Sequence, residues 1–278
     1  MSPAFLPDVG RGYMDKLSPA DLNILVVEPS QMQRKLLLNA LHEEGVFNLD
    51  VCSNCKDAFE QVTRIKPDLV ISSLYFEDGT GLDLLRSIRQ DPDLEDLPFM
   101  LVSSETRRAQ LEEFKQSGVI AILPKPYTLQ HLHRAVNATV DLLSPQALEL
   151  DMYEVDDLRV LVVDDSRLSR NVITRVLNNM GIEHIQEADD GSAAIEILNT
   201  QTFDLLVTDY HMPEMNGAEL TEYIRQSGDH CHMPVLMVTS EDNEAQLQNV
   251  AQSGVNALSN KPFEPDGVRK LLAQILEA

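Results

Sequence analysis

Positive charge is what this sequence is shortest of: 22 lysines and arginines stand against 45 aspartates and glutamates, a formal net charge of −23. No basic run occurs anywhere, which argues against a nucleic-acid-binding surface, because phosphate contacts demand clustered Lys and Arg. Cysteine is scarce too, three in 278 residues, and that fits a reducing compartment. Long apolar runs are missing. No stretch approaches the length of a membrane span, and the first twenty residues lack the basic start and apolar core of a secretory signal. These absences predict a soluble, cytoplasmic chain with no nucleic-acid or membrane partner. What is present is globular, 43% hydrophobic and 24% charged, and the length allows two ordinary domains, each with its own core.

Two small motifs invite a chemical reading and do not sustain it. Cys52-Ser53-Asn54-Cys55 has redox spacing, but a metal site would need a second ligand pair at comparable spacing. Ordinary thiols are the better reading. His230-Cys231-His232, with His211 elsewhere, falls in a predicted loop without a supporting pair.

The stretch around which the chain is organised is Phe203-Asp204-Leu205-Leu206-Val207-Thr208-Asp209, followed at once by the loop Tyr210-His211-Met212-Pro213-Glu214-Met215-Asn216-Gly217. A short apolar run bounded by turn residues reads as a buried strand of a parallel sheet. An Asp at its carboxyl end sits where open α/β sheets place ligands. Taken alone, Asp209 reads equally well as a reacting group or as a helix- or turn-capping Asp.

Internal repetition decides the architecture. Asn23–Ser30 matches Arg159–Ser166, Pro67–Ser73 matches Phe203–Asp209, and Pro98–Glu105 matches Pro234–Glu241; Lys125-Pro126-Tyr127 matches Lys261-Pro262-Phe263, all at a constant offset of 136 residues. In the second copy, strands are predicted at 160–163, 184–188, 205–209, 235–239 and 256–258. Helices are predicted after each, including one from Leu168 through Val172, Ile173, Val176 and Leu177 that Gly181 stops, one over 192–199, one over 218–226, a polar one over 241–252 and a closing one over 266–276. Five βα repeats imply a parallel sheet covered on both faces. The expected organisation is an N-terminal extension (1–21), mobile apart from whatever Phe5, Leu6 and Tyr13 touch; a first unit (22–143) in which Leu129, Leu132, Ala135 and Val136 form a buried stripe; an acidic bridge (144–157), solvated rather than docked through Leu148, Leu150, Met152, Tyr153 or Val155; and a second unit (158–278).

The strand ends of the second unit present Asp164-Asp165, Asp209 and Thr239, and Lys261 follows the fifth strand. Carboxylates crowded at one sheet edge repel, so such a site raises a pKa or recruits a cation. Oxygen ligands of high charge suit Mg²⁺. A cation would neutralise an incoming phosphoryl group and leave one carboxylate free to attack it, with Lys261 and the Thr239 hydroxyl as further donors.

These residues resemble the receiver domains of two-component response regulators, including the single-domain chemotaxis regulators. The likeness rests on Val-Val-Asp164-Asp165-Ser, Thr-Asp209-Tyr-His-Met-Pro213-x-Met-Asn-Gly217, Val-Thr239-Ser and Lys261-Pro262-Phe. It implies an α/β fold of two flavodoxin-like (βα)5 domains with sheet order 2-1-3-4-5. It implies Asp209 as acceptor of phosphate from a phosphohistidine on a sensor histidine kinase or phosphotransfer protein. Mg²⁺ would be held by Asp164, Asp165, Asp209 and the His211 backbone carbonyl; Thr239 and Lys261 would contact the phosphoryl group, and Lys261-Pro262 would be cis. One departure stands out: Leu258 occupies the place of the usual aromatic switch. His211 and Glu241, each two residues past a pocket residue, are expected to overhang the pocket mouth and restrict the hydrolytic water.

At the matching positions the first unit has Glu28, Pro29, Ser73, Ser103 and Lys125. Pro29 removes a metal carboxylate and a backbone donor, and Ser73 lacks a general base. Glu28 and Lys125 are expected to neutralise each other in a receiver fold that is not phosphorylated. The whole then reads as a phosphorylation-controlled switch without an output domain, acting on a downstream protein as in chemotaxis or a phosphorelay, with homodimerisation left open. It reads as a phosphoacceptor with at most self-dephosphorylation rather than an enzyme. The competing readings are a non-phosphorylated adaptor and an aspartyl-phosphate phosphohydrolase, the latter disfavoured because His211 stands where a second Asp is wanted.

Overall fold

The computed structural model describes residues 17–104, 113–114, 116–144, 146–239 and 253–277. Phe5, Leu6, Tyr13, the polar helix predicted over 241–252 and Glu241 itself lie outside the described residues. The first unit comprises β1 (Asn23–Val27), α1 (Gln31–Glu43), β2 (Asn48–Cys52), α2 (Cys55–Ile65), β3 (Leu69–Ser73), a small antiparallel hairpin of β4 (Tyr75–Phe76) and β5 (Gly79–Thr80), α3 (Gly81–Gln90), β6 (Phe99–Ser103), β7 (Ala121–Pro124) and α4 (Leu129–Leu143). The second unit comprises β8 (Arg159–Val163), α5 (Arg167–Asn179), β9 (His184–Ala188), α6 (Gly191–Leu198), β10 (Leu205–Asp209), α7 (Gly217–Gln226), β11 (Val235–Thr239), β12 (Ala257–Asn260) and α8 (Pro265–Leu276).

Each unit has a five-stranded sheet, ordered β2-β1-β3-β6-β7 in the first and β9-β8-β10-β11-β12 in the second. Counting within each repeat, both are 2-1-3-4-5, parallel throughout. The central strands β3, β6, β10 and β11 are buried at every position, as continuous apolar runs covered by helices on both faces must be. The order reverses between β1 and β3, and between β8 and β10, which opens a crevice at the carboxyl ends of those strands.

Each unit has a private core on one face, around Leu85, Ile88 and Phe99 in the first and Leu206, Leu220 and Ile224 in the second. The cores on the opposite faces are not separate. One apolar cluster joins Val26, Leu132 and Val136 of the first unit to Val160, Ile173 and Leu272 of the second. The bridge is part of it, which overturns the solvated reading: Leu148 is 4% exposed, Leu150 and Val155 pack against the cluster, and the Leu148 N–H donates to the Met180 carbonyl at 2.9 Å. Met152 and Tyr153 remain exposed. The acidic residues between these apolar ones face solvent, so the segment is amphipathic and docked. The α4 stripe also needs correcting: Leu132, Ala135 and Val136 are buried, but Leu129, in the first turn, is 48% exposed. Among the described residues no helix is long and apolar enough to cross a membrane.

Candidate functional site

The site is built at the crevice of the second unit. Beyond Val163 the chain leaves the sheet through Asp164, which is buried, and Asp165, which is exposed. Ser166 then caps α5: its hydroxyl accepts the Ser169 N–H at 3.2 Å, while its own N–H donates to Asp164 Oδ1 at 2.9 Å. The cap holds the Asp164 carboxylate and starts the helix with one residue. Asp209 ends β10 and is buried. Its carbonyl is approached so closely by Gly217 that a Cβ there would lie 2.1 Å from the oxygen. Only glycine fits, which gives the Asn216-Gly217 pair its physical reason: Asn216 caps α7 in a reciprocal box with Glu219, and Gly217 lets that helix start against the strand end.

Carboxylate oxygens of Asp164, Asp165 and Asp209 lie within 4.8 Å of one another, a group that could hold a metal ion. Lys261 follows β12 through a cis peptide to Pro262, and its Nζ lies 2.7 Å from Asp164 Oδ2 and 2.8 Å from Asp209 Oδ2. Its backbone N–H donates to the carbonyl of buried Thr239 at 2.8 Å, tying the lysine to the end of β11. His211 is exposed beside the pocket and sets its ring edge-on to Tyr210 at 4.6 Å. Leu258 sits half-buried in β12.

Burial pushes the Asp164 carboxyl up to about 6; Lys261 pulls the other way, and the Asp209 charge adds to the rise. Asp209 is raised chiefly by burial, against Lys261 and the amides of His211 and Tyr210. Burial works against the Lys261 charge, yet Asp209 and Asp164 outweigh it and hold its pKa above the ordinary value. Three carboxylates therefore share a single ammonium, and the pocket keeps a surplus of negative charge. An all-oxygen donor set of that charge fits a hard divalent cation.

Comparison with known proteins agrees with this geometry. The response regulator receiver domain matches residues 24–137 and again 160–273. The chain belongs to the response regulator receiver family. Chemotaxis protein CheY-3 of Vibrio cholerae is 38% identical over 121 residues, 44% of this chain and 93% of the relative. Chemotaxis protein CheY of Pseudomonas aeruginosa is 38% identical over 120 residues, 43% of this chain and 97% of the relative. Among solved structures, the chemotaxis response regulator CheY4 of Vibrio cholerae covers 42% of this chain and 98% of its own at 30% identity, with a TM-score of 0.40. Receiver domains act as phosphoacceptors in two-component signalling and generally bind Mg²⁺ at an acidic site, and the carboxylates here supply such a site.

The first receiver has the same pocket with its charge cancelled. Lys125 Nζ lies 2.9 Å from Glu28 Oε2 and 3.4 Å from Ser73 Oγ, and also donates to the side-chain amide oxygen of Gln33. The Ser73 hydroxyl donates to Glu28. A carboxylate thus does face the serine, contrary to the expectation that nothing within reach serves as a base. It is a poor one, however: burial raises the Glu28 pKa, but the hydrogen bonds from Ser73, Lys125 and the Ser30 amide more than offset this and leave it low.

Sequence reasoning missed Gln33, and it missed a pair of arginines at matching positions. Arg89 donates to the carbonyls of Leu97, Ser117 and Gly118; Arg225 donates to those of Cys231, Met233 and Gly254. Each pins the loops that carry the fourth and fifth strands of its receiver, and their shared offset of 136 was the signal available. The cysteine and histidine motifs stay apart from the chemistry. Burial, with Asp78 and Asp83 adding to it, pushes the Cys55 thiol up to about 12, so it is protonated at neutral pH. His230 Nε2 pairs with the Leu198 carbonyl, and among the described residues the aspartate trio is the group able to hold a metal.

Proposed function

We propose that the second receiver takes a phosphoryl group on Asp209 from a phosphohistidine of a sensor kinase or phosphotransfer protein, in a Mg²⁺-dependent reaction, and that the resulting change of state alters a protein contact. The observation that carries this reading is the meeting of three carboxylates and one buried lysine at the ends of adjacent parallel strands. Asp164, Asp165, Asp209 and the His211 carbonyl would hold the cation, which when bound would neutralise the charge of the incoming phosphoryl group. A carboxylate oxygen of Asp209 attacks phosphorus; the O–P bond forms as the N–P bond breaks, and the histidine nitrogen keeps the electron pair. Lys261, already against Asp209 Oδ2, and the Thr239 hydroxyl at the neighbouring strand end donate to phosphoryl oxygens. The first receiver, with its pocket neutralised by Lys125, is a non-phosphorylated interaction module. Its role is supported by the apolar cluster that it shares with the second receiver.

Intact-mass analysis after incubation with acetyl phosphate and Mg²⁺ tests this. One persisting adduct per chain, absent from Asp209→Asn and from protein stripped of Mg²⁺, is the expected result. No adduct would turn the reading into that of a pure adaptor; fast release of inorganic phosphate, into that of a hydrolase.

A further inference from the structure

The contact between the two receivers is head-to-tail, and both of its halves recur, uncovered, elsewhere on the same chain. Within the chain, the turn before β7 of the first receiver sits on α5 of the second. A Cβ on Gly118, which has φ +69°, would lie 3.3 Å from the Leu168 carbonyl and 3.5 Å from Val172 Cγ2. The Ser166 hydroxyl donates to the Gln116 carbonyl at 2.7 Å, Arg175 donates to the Asp96 carbonyl at 3.0 Å, and Arg167 pairs with Glu95 at 3.3 Å.

The constant offset of 136 residues gives each half a counterpart. On α1 of the first receiver, Met32 and Leu36 stand where α5 has Leu168 and Val172, and they are 76% and 57% exposed. They are apolar, one helical turn apart, and exposed to solvent. In the second receiver Gly254 stands where the first has Gly118; it too has positive φ (+90°) and is exposed where Gly118 is buried, and the nearest atoms to a Cβ there belong to Arg225 of its own receiver, at 3.1–3.4 Å, rather than to another helix. A two-fold contact would have covered Met32 and Leu36 with the Gly254 turn of the same chain. Instead one copy of each half is covered and the other is open.

We infer that a second copy of this chain docks through these open halves, the Gly254 turn of one molecule seating on Met32 and Leu36 of the next, in repetition of the contact inside the chain. The association is independent of phosphate on Asp209. It is heterologous, so it extends beyond a dimer unless a ring closes. It is also weaker than the internal contact, because Gln31 and Cys231 occupy the places of Arg167 and Glu95 and no ion pair forms.

Sedimentation velocity on the full chain, over a concentration series at salt high enough to screen the net charge of −23, reads this directly. Wild type is expected to grow with concentration past the dimer. Leu36→Glu, which changes an exposed side chain, and Gly254→Asn, which keeps a residue tolerant of positive φ and requires only that the Arg225 stem shift by a few tenths of an ångström, each stay monomeric. Mixed together, the two variants form a dimer and stop, since each retains the half that the other has lost. Restoring the missing pair with Gln31→Arg and Cys231→Glu raises the association constant about two- to fivefold; this double variant keeps the test decisive should Gly254→Asn unfold. Wild type monomeric at every concentration, association that Leu36→Glu leaves intact, or a variant mixture that stays monomeric would each overturn the proposal; so would Gly254→Asn that still dimerises on its own while Leu36→Glu does not, by showing helix-to-helix pairing instead.

Discussion

Lys125 and Lys261 hold the same position in the two repeats, and the arithmetic around them differs by two carboxylates. Lys125 meets one, Glu28, which is 4% exposed and already satisfied by Ser73. Removing the lysine leaves a buried charge without its counter-ion, so Lys125→Met is expected to cost about 3 kcal/mol of stability in urea unfolding. Adding Glu28→Gln should restore most of that; if it did not, the loss would lie in packing. The pH behaviour of the two pockets has opposite sign. The lowered Glu28 pKa gives a contribution present above the ordinary glutamate range and lost as pH falls through its folded value. Asp164 is raised from 3.8 to about 6, so its folded form binds a proton more readily than the unfolded chain does, and stability contributed there declines as pH rises between those values. A cation at the site must displace that proton. Mg²⁺ affinity measured by calorimetry is therefore expected to hold steady above about pH 6 and to fall about tenfold for each unit below it. An affinity unchanged down to about pH 5 would mean that Asp164 is not a group the cation competes for.

At the scale of elements, the close approach of α7 to the end of β10 makes a separable prediction. Gly217→Ala drives a methyl into the Asp209 carbonyl, and Gly81→Ala does the same to the Ser73 carbonyl, where a Cβ would lie at 2.5 Å. Both should lower stability by about 1–3 kcal/mol, but only Gly217→Ala should also slow adduct formation on Asp209, as intact mass over time would show. Equal slowing by both would place the effect in global destabilisation. These elements were readable in the sequence because their signals are local. Leu205–Asp209 is an apolar run ended by a loop, and Val176 and Leu177 recur at helical spacing and are buried. What escaped depends on partners distant in the chain. The last strand was expected at 256–258 but runs Ala257–Asn260, since Ser259 and Asn260 are held by pairing with Val238 and Thr239 rather than by apolar pattern. Leu168 and Val172 looked like ordinary core positions of their helix, yet they meet Gly118 of the other receiver. Leu148, Leu150 and Val155, spaced among acidic residues, showed no period, and only the surface prepared by the rest of the chain makes them interior.

The shared apolar cluster gives the whole molecule a property that neither receiver has alone. Two domains on a solvated tether would unfold independently, each with its own transition. Here Leu148 from the bridge and Ile173, Leu272 and Ile275 from the second receiver are continuous with Val26, Leu132 and Val136 of the first, and no described boundary of the cluster follows the boundary between the repeats. Burial at about 25 cal/mol per Å² acts across that boundary as it does within a receiver, so unfolding one unit exposes the flank of the other. Calorimetry is expected to show one cooperative transition whose van't Hoff and calorimetric enthalpies agree. Mg²⁺ bound at the carboxylates of the second receiver would be expected to move the entire transition upward, because a ligand of the native state stabilises everything that unfolds with it. Leu148→Asp buries a charge at the seam, and it should split the profile into two transitions, of which only the one belonging to the second receiver responds to Mg²⁺. Two transitions in the wild-type protein would mean that the receivers touch without sharing a core, leaving the polar contacts of Gln116 with Ser166 and of Glu95 with Arg167 as the link between the first receiver and the site.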